Sequence, residues 1–362
     1  MPRVNARHPR TTAGPERWAQ VGGRVAGLAW AHDGRTLAAA LMSGPVVLLG
    51  DAGRECVLEG HRDATVAVTW RPGSREIATA GQDGLVRIWD AAGGHLGALD
   101  AGAAWVERIA WRPDGGLLAA AAGRRLRLWR DDSLVADWSD HPSTVMDLGW
   151  RPDGGRVAAV HYGGVSLWDP AGGGLERRLE WKGSSLALAW SPDGRHLATG
   201  DQDATVHLWI LPSGRDLQMS GYERKVRELA WDPSGRLLAT GGGRAVVLWD
   251  CSPPGPAGSR PRMLDPGGGE VTAVSFAQRR PLLAAGTSEG LVGAWDLGRR
   301  RPRELARARL MGEVTALAWT PGGTLAAASE HGDVAVITED GGALRRRGAA
   351  GPQHKDSPPA GH

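Results

Sequence analysis

"HRDATVAVTWRPGSREIATAGQDGLVRIWD", residues 61–90, follows Gly60 and ends on Trp89-Asp90. "TVAVTW" alternates apolar and polar residues, the period of a half-buried strand. It meets the turn "RPGS". "EIATA" follows, then the turn "GQDG", then "LVRIW". Short alternating runs separated by Gly, Pro and Asp are hairpin chemistry. A weaker strand, "HLGAL", closes the unit. Four such strands cannot bury both faces alone, so the unit must pack against copies of itself.

The copies are present. The residue before each turn is Trp30, Trp70, Trp111, Trp150, Trp190, Trp231, Phe276 and Trp319, at spacings from 39 to 45. A second aligned position gives Leu49, Trp89, Trp129, Trp168, Trp209, Trp249, Trp295 and Ile337. A fixed period of this length marks a repeat architecture. The two series absorb 13 of the 17 tryptophans, which leaves Trp18, Trp105, Trp138 and Trp181 to be explained otherwise.

The unit resembles the WD repeat: a Gly-His start, an "xPDG" turn, a tight turn with Asp and a final Trp-Asp. The likeness, to a stand-alone bacterial-type member, covers roughly residues 16–340. It implies an all-β propeller of four-stranded antiparallel blades, with strands a to d from the inside outward. Eight copies of a, b and c are countable, but only seven d strands lie between them, around 54–59, 95–99, 133–138, 175–180, 214–219, 261–264 and 303–307. The N-terminal segment around Trp18 is expected to supply the eighth, giving eight blades. A seven-bladed ring is the alternative; it would discard the unit around Trp30 or the one around Trp319. Residues 1–15 and 341–362 are read as flexible ends.

The resemblance also implies a hydrogen-bonded chain of His61, Thr79, Asp83 and Trp89. These residue types suit it, because indole donates, hydroxyl relays and carboxylate accepts. The other copies look incomplete: Tyr162 stands at the Asp position of the fourth, Trp181 at the His position of the fifth, and Gly123 and Gly243 at the Asp positions of the third and sixth. Apolar packing between blades must therefore dominate. His61 and Asp83 are read as scaffold, since no nucleophile recurs beside them.

Net charge is +3 and the two cysteines, Cys56 and Cys251, form no CxxC pair. No signal-peptide core or membrane-length apolar run occurs, so a cytoplasmic location is expected. No phosphate-binding loop, metalloprotease or nucleophile-elbow motif is found. The expectation is a non-catalytic scaffold without a cofactor, monomeric, binding a protein or peptide rather than nucleic acid or membrane.

The family implies recognition by the d–a and b–c loops around the channel. Register places Arg24, Met42, Trp105, Glu107, Met146, His161, Lys225 and Arg227 there. Trp105 belongs to neither tryptophan series, and Trp and Arg are common binding anchors. The alternative function is small-ligand or metal binding at the channel mouth, begun by His141 and His161. On the opposite face Arg71, Arg112 and Arg151 form an arc, with Arg75 and Arg156 nearby. It is read as paired with local carboxylates such as Asp90 and Asp169.

Overall fold

The computed structural model describes residues 17–50, 53–171, 173–253 and 255–338. The ends read as flexible, residues 1–15 and 341–362, lie outside the described residues. The second repeat shows the local logic. Its strands are Thr65–Trp70, Glu76–Gly81, Leu85–Asp90 and His95–Asp100, hydrogen-bonded in that order and antiparallel. Asp and Ser side chains bond backbone N–H groups in the turns, as Asp90 does with Ala92 and Gly94 at 2.8 Å. Such side-chain bonds specify where a strand stops.

The first strands of successive repeats touch one another in closed order, the last against the first. The ring shuts through the N-terminus. Arg17–Gln20 pairs with Asp333–Ile337 as the outer strand of the last sheet. A register shift falls at Trp18, between Arg17 and Ala19.

The expectation of eight separate blades is not met: hydrogen bonds group the strands into seven sheets, six of four strands and one of six. The repeats around Trp30 and Trp319 both persist as four-stranded sheets. The fusion lies between the fourth and fifth repeats. Val157–Asp169 is one strand serving both b and c positions, and Gly174–Trp190 runs from the outer strand of the fourth repeat into the inner strand of the fifth. The reason is local. Tyr162 pairs with Ser184 across the top of the sheet, so the ladder continues where other repeats break into a turn.

Packing between repeats holds the ring. Several b strands are small and fully buried; "LAAAL" at Leu37–Leu41 and "LAAAA" at Leu118–Ala122 are examples. Alanine lets adjacent sheets approach closely while Leu, Val and Trp fill the remaining space. One buried cluster joins Val25 and Leu37 to Ala326 and Val334 across the closure. Removing such surface from water contributes roughly 25 cal/mol per Å².

The first tryptophan series adds a directional tie. Trp30, Trp70, Trp150, Trp190, Trp231 and Trp319 donate their indole N–H to Ala318, Ala29, Ala110, Gly149, Ala189 and Ser275 carbonyls of the preceding repeat, at 2.9–3.1 Å. The series has two gaps. Phe276 has no N–H, and the buried Trp111 Nε1 has no hydrogen-bond partner. Trp111 is instead covered by the Arg71 guanidinium, 5.0 Å from its ring centre.

Candidate interaction face

The structure brings His61, Thr79, Asp83 and Trp89 together. Trp89 donates to Thr79 Oγ1 at 3.0 Å, Thr79 lies 3.0 Å from His61 Nε2, and His61 Nδ1 lies 2.7 Å from Asp83. The Thr79 hydroxyl thus bridges the Trp89 indole and His61 Nε2, while His61 Nδ1 also lies 2.6 Å from the Arg87 guanidinium. Burial lowers the His61 pKa, and the ring is neutral. Burial works to raise Asp83, but hydrogen bonds from Arg87 and His61 overcome it and bring it down to about 2. Every polar atom of this buried chain is used, which is the condition for it to stiffen the repeat.

Two other repeats build substitutes that the sequence did not announce. In the sixth, Trp249 donates to the Tyr222 hydroxyl at 2.8 Å, and that hydroxyl meets Thr240 at 2.9 Å. Tyr222 occupies the register position of His61, and that correspondence was the available signal. In the fourth, Trp168 donates directly to His141 Nε2 at 3.0 Å, and His141 Nδ1 donates to the Arg124 carbonyl at 3.0 Å. Trp138 stacks on Trp168 at 4.7 Å.

This geometry gives no support to the metal-site alternative at His141 and His161. The His141 lone pair takes the indole N–H, and the His161 Nε2 takes the Ser166 hydroxyl at 2.9 Å. No cluster of three metal-ligating side chains occurs among the described residues. His161 is also corrected as a contact residue: it is only 1% exposed and its Nδ1 donates to the Tyr162 carbonyl. Its neighbour Tyr162 takes the surface place, 60% exposed. An aromatic in the slot of a turn carboxylate was the sign of it.

The remaining candidates lie in or beside the d–a and b–c loops. Trp105 is 57% exposed and has φ +64°, a left-handed conformation unusual for a non-glycine residue. Its N–H donates to the Gln82 carbonyl at 3.2 Å, which ties the loop to the neighbouring repeat. Met42 and Met311 are exposed on the same side, and Lys225 and Arg227 are exposed in the sixth repeat. Glu107 is half-buried, and Met146 packs partly against the core. Arg24 is not free: it bonds Glu313 at 3.2 Å and Glu330 at 3.1 Å, bridging first and last repeats.

On the opposite face the arginine arc is engaged. Arg71 meets Glu76 and Asp131, Arg112 meets Asp114, and Arg151 meets Asp153. Arg71 also reaches the Gly115 carbonyl of the next repeat. Of the two carboxylates expected as partners, Asp90 holds its own turn, whereas Asp169 lies 3.8 Å from Arg156 as expected.

The "WD domain, G-beta repeat" model matches residues 54–90, 177–209 and 216–250. The chain carries WD repeats in these three stretches and is similar to WD-repeat proteins. It is 28% identical over 179 residues to WD repeat-containing protein slp1 of Schizosaccharomyces pombe, covering 43% of this chain and 35% of that protein. Protein FIZZY-RELATED 3 of Arabidopsis thaliana is 28% identical over 201 residues, covering 52% of this chain and 33% of its own. Intraflagellar transport protein 80 homolog of Mus musculus is 27% identical over 157 residues, covering 42% and 20%. The matches thus span about a third or less of these relatives. Among solved structures, the computationally designed Ika8 protein has a TM-score of 0.76 at 19% identity, covering 89% of this chain and 99% of Ika8. Sqt1 of Saccharomyces cerevisiae has 0.77 at 12%, covering 90% and 99%. These two likenesses concern the fold alone. WD-repeat propellers are generally non-catalytic protein-interaction scaffolds. Among the described residues no helix is long and apolar enough to cross a membrane.

Proposed function

We propose that this WD-repeat protein is a scaffold in the cytoplasm that binds a protein or peptide partner on the d–a and b–c loop face, with Trp105 as anchor. The six-stranded sheet acts in this reading as two fused blades, so eight repeats present loops to the partner. The observation that carries it is the state of Trp105. A large aromatic stands exposed on a left-handed backbone where glycine would be easier. Local strain of that kind persists when a side chain is needed at that place. Met42, Tyr162 and Met311 add exposed apolar surface on the same face, and Lys225 and Arg227 add a basic rim. Apolar centres with polar edges are the usual anatomy of such contacts.

Trp105→Gly tests it. The variant should unfold at the same or slightly higher temperature, because glycine accepts positive φ. It should lose a specific partner captured from lysate by the parent protein. Retention of every captured partner at parental strength would sink the assignment of Trp105.

A further inference from the structure

A cleft of about 400 Å³ lies between the fourth and fifth repeats, among the a–b turns and c–d loops. Those segments stand at the opposite strand ends from Trp105. Its apolar lining is Leu167, Trp190, Leu211 and Pro212. Four arginines, three carboxylates and Gly194 form the rest. All three carboxylates are already engaged. Asp153 accepts two bonds from Arg151 at 2.8 and 2.5 Å, and Glu176 is paired with Arg156. Asp193 accepts from the Ser191 hydroxyl at 2.5 Å and the Arg195 N–H at 3.0 Å. Arg177 and Arg195 are exposed and make no side-chain ion pair among the described residues. The cleft therefore carries one net positive charge and offers two guanidinium groups that make no direct ion pair, beside an apolar wall.

We propose that this cleft binds an acidic peptide segment of a protein partner, its carboxylates on Arg177 and Arg195 and an apolar side chain against Trp190 and Leu211. Guanidinium suits carboxylate because its planar N–H groups match the two oxygens. The volume falls within the range of ligand sites and takes side chains rather than a folded surface. The apolar wall selects a peptide over a bare anion, because a free carboxylate would leave that wall in water. The fusion of the two repeats also matters. Glu176 and Arg177 at one end of Gly174–Trp190 and Trp190 at the other belong to one continuous strand. Both sides of the cleft are thereby held in fixed relation.

The probe is a fluorescein-labelled peptide of alternating aspartate and leucine, followed by anisotropy. The full chain should bind it, and added salt should weaken binding. The Arg177→Gln/Arg195→Gln double variant should bind roughly tenfold more weakly with unchanged thermal unfolding, since both side chains are exposed. An asparagine–leucine analogue should not bind. Arg279→Gln, an exposed arginine on the seventh repeat of the same face, should bind as the parent does. Trp105→Gly should too, which separates this site from the loop face. The proposal fails if the peptide does not bind, if the double variant binds equally well, or if Arg279→Gln weakens binding as much. Succinate competing as strongly as unlabelled peptide would also overturn it, in favour of a small-anion site.

Discussion

The second and fourth repeats hold the same histidine in two ways. In the second, His61 reaches Trp89 through the Thr79 hydroxyl and rests on a carboxylate. In the fourth, Ala159 stands in the register place of Thr79, so no relay exists, and His141 takes the Trp168 indole itself. The position of Gly81 explains the shift. A side chain there would put its Cβ 2.2 Å from the His61 ring. The fourth repeat carries His161 at that position, and its ring lies 5.8 Å from that of His141. The lesson is that the buried indole must be satisfied, while the group that satisfies it is free to change.

The two solutions differ in charge, and acid separates them most. Burial is the main cause that lowers the His141 pKa, to about 4. An unfolded histidine binds its proton near pH 6.5, so the unfolded state gains protons first as pH falls. Stability from this group is complete above about pH 6.5 and is lost on the way down to about 4. The loss is on the order of 3 kcal/mol. Asp201 acts in the opposite sense: burial raises it to about 7, so its protonation favours the folded state over an overlapping range. The readout is therefore a difference. The urea midpoint of the parent should fall more between pH 7 and 4.5 than that of His141→Gln. Equal falls would break the comparison.

A smaller effect is expected from the relay. Thr79→Val leaves the Trp89 N–H and the His61 Nε2 without their buried partner, a cost of roughly 1–3 kcal/mol in chemical unfolding. The fourth repeat sharpens this, because it already lacks the hydroxyl and needs none. If Thr79→Val were neutral, His61 would have moved onto Trp89 as His141 sits on Trp168. The Gly81 environment then would not be what separates the two repeats.

The smallest effect concerns the ties between repeats. Trp70→Phe keeps most of the ring's packing but removes the bond to the Ala29 carbonyl. It should cost about 1 kcal/mol. Phe276 already makes this substitution in the seventh repeat. A loss well above that value in thermal unfolding would mean that the indole bonds, and not apolar packing, hold the ring.

Much of this was legible in the chain. The outer strands expected at 95–99, 133–138 and 303–307 are found at His95–Asp100, Ser133–Trp138 and Arg303–Arg309. The N-terminal strand closes the last sheet. These features depend on alternation, turn residues and register, which are local. The errors were contacts. His161 and Tyr162 are adjacent, and only the local fold decides which one faces water. Tyr222 went unread because its hydroxyl replaces an imidazole nitrogen through space, not by residue type.

The sequence by itself determined the strand order, the repeat, the closure and the character of the second repeat's network, because period and turn chemistry act over a few residues. Tertiary structure decided how many sheets those strands make, which indoles tie neighbouring repeats, and which arginines remain without a carboxylate. Each of these depends on distances between residues some 40 positions apart in the chain. Such distances are set when sheets pack against one another, and no single repeat contains them.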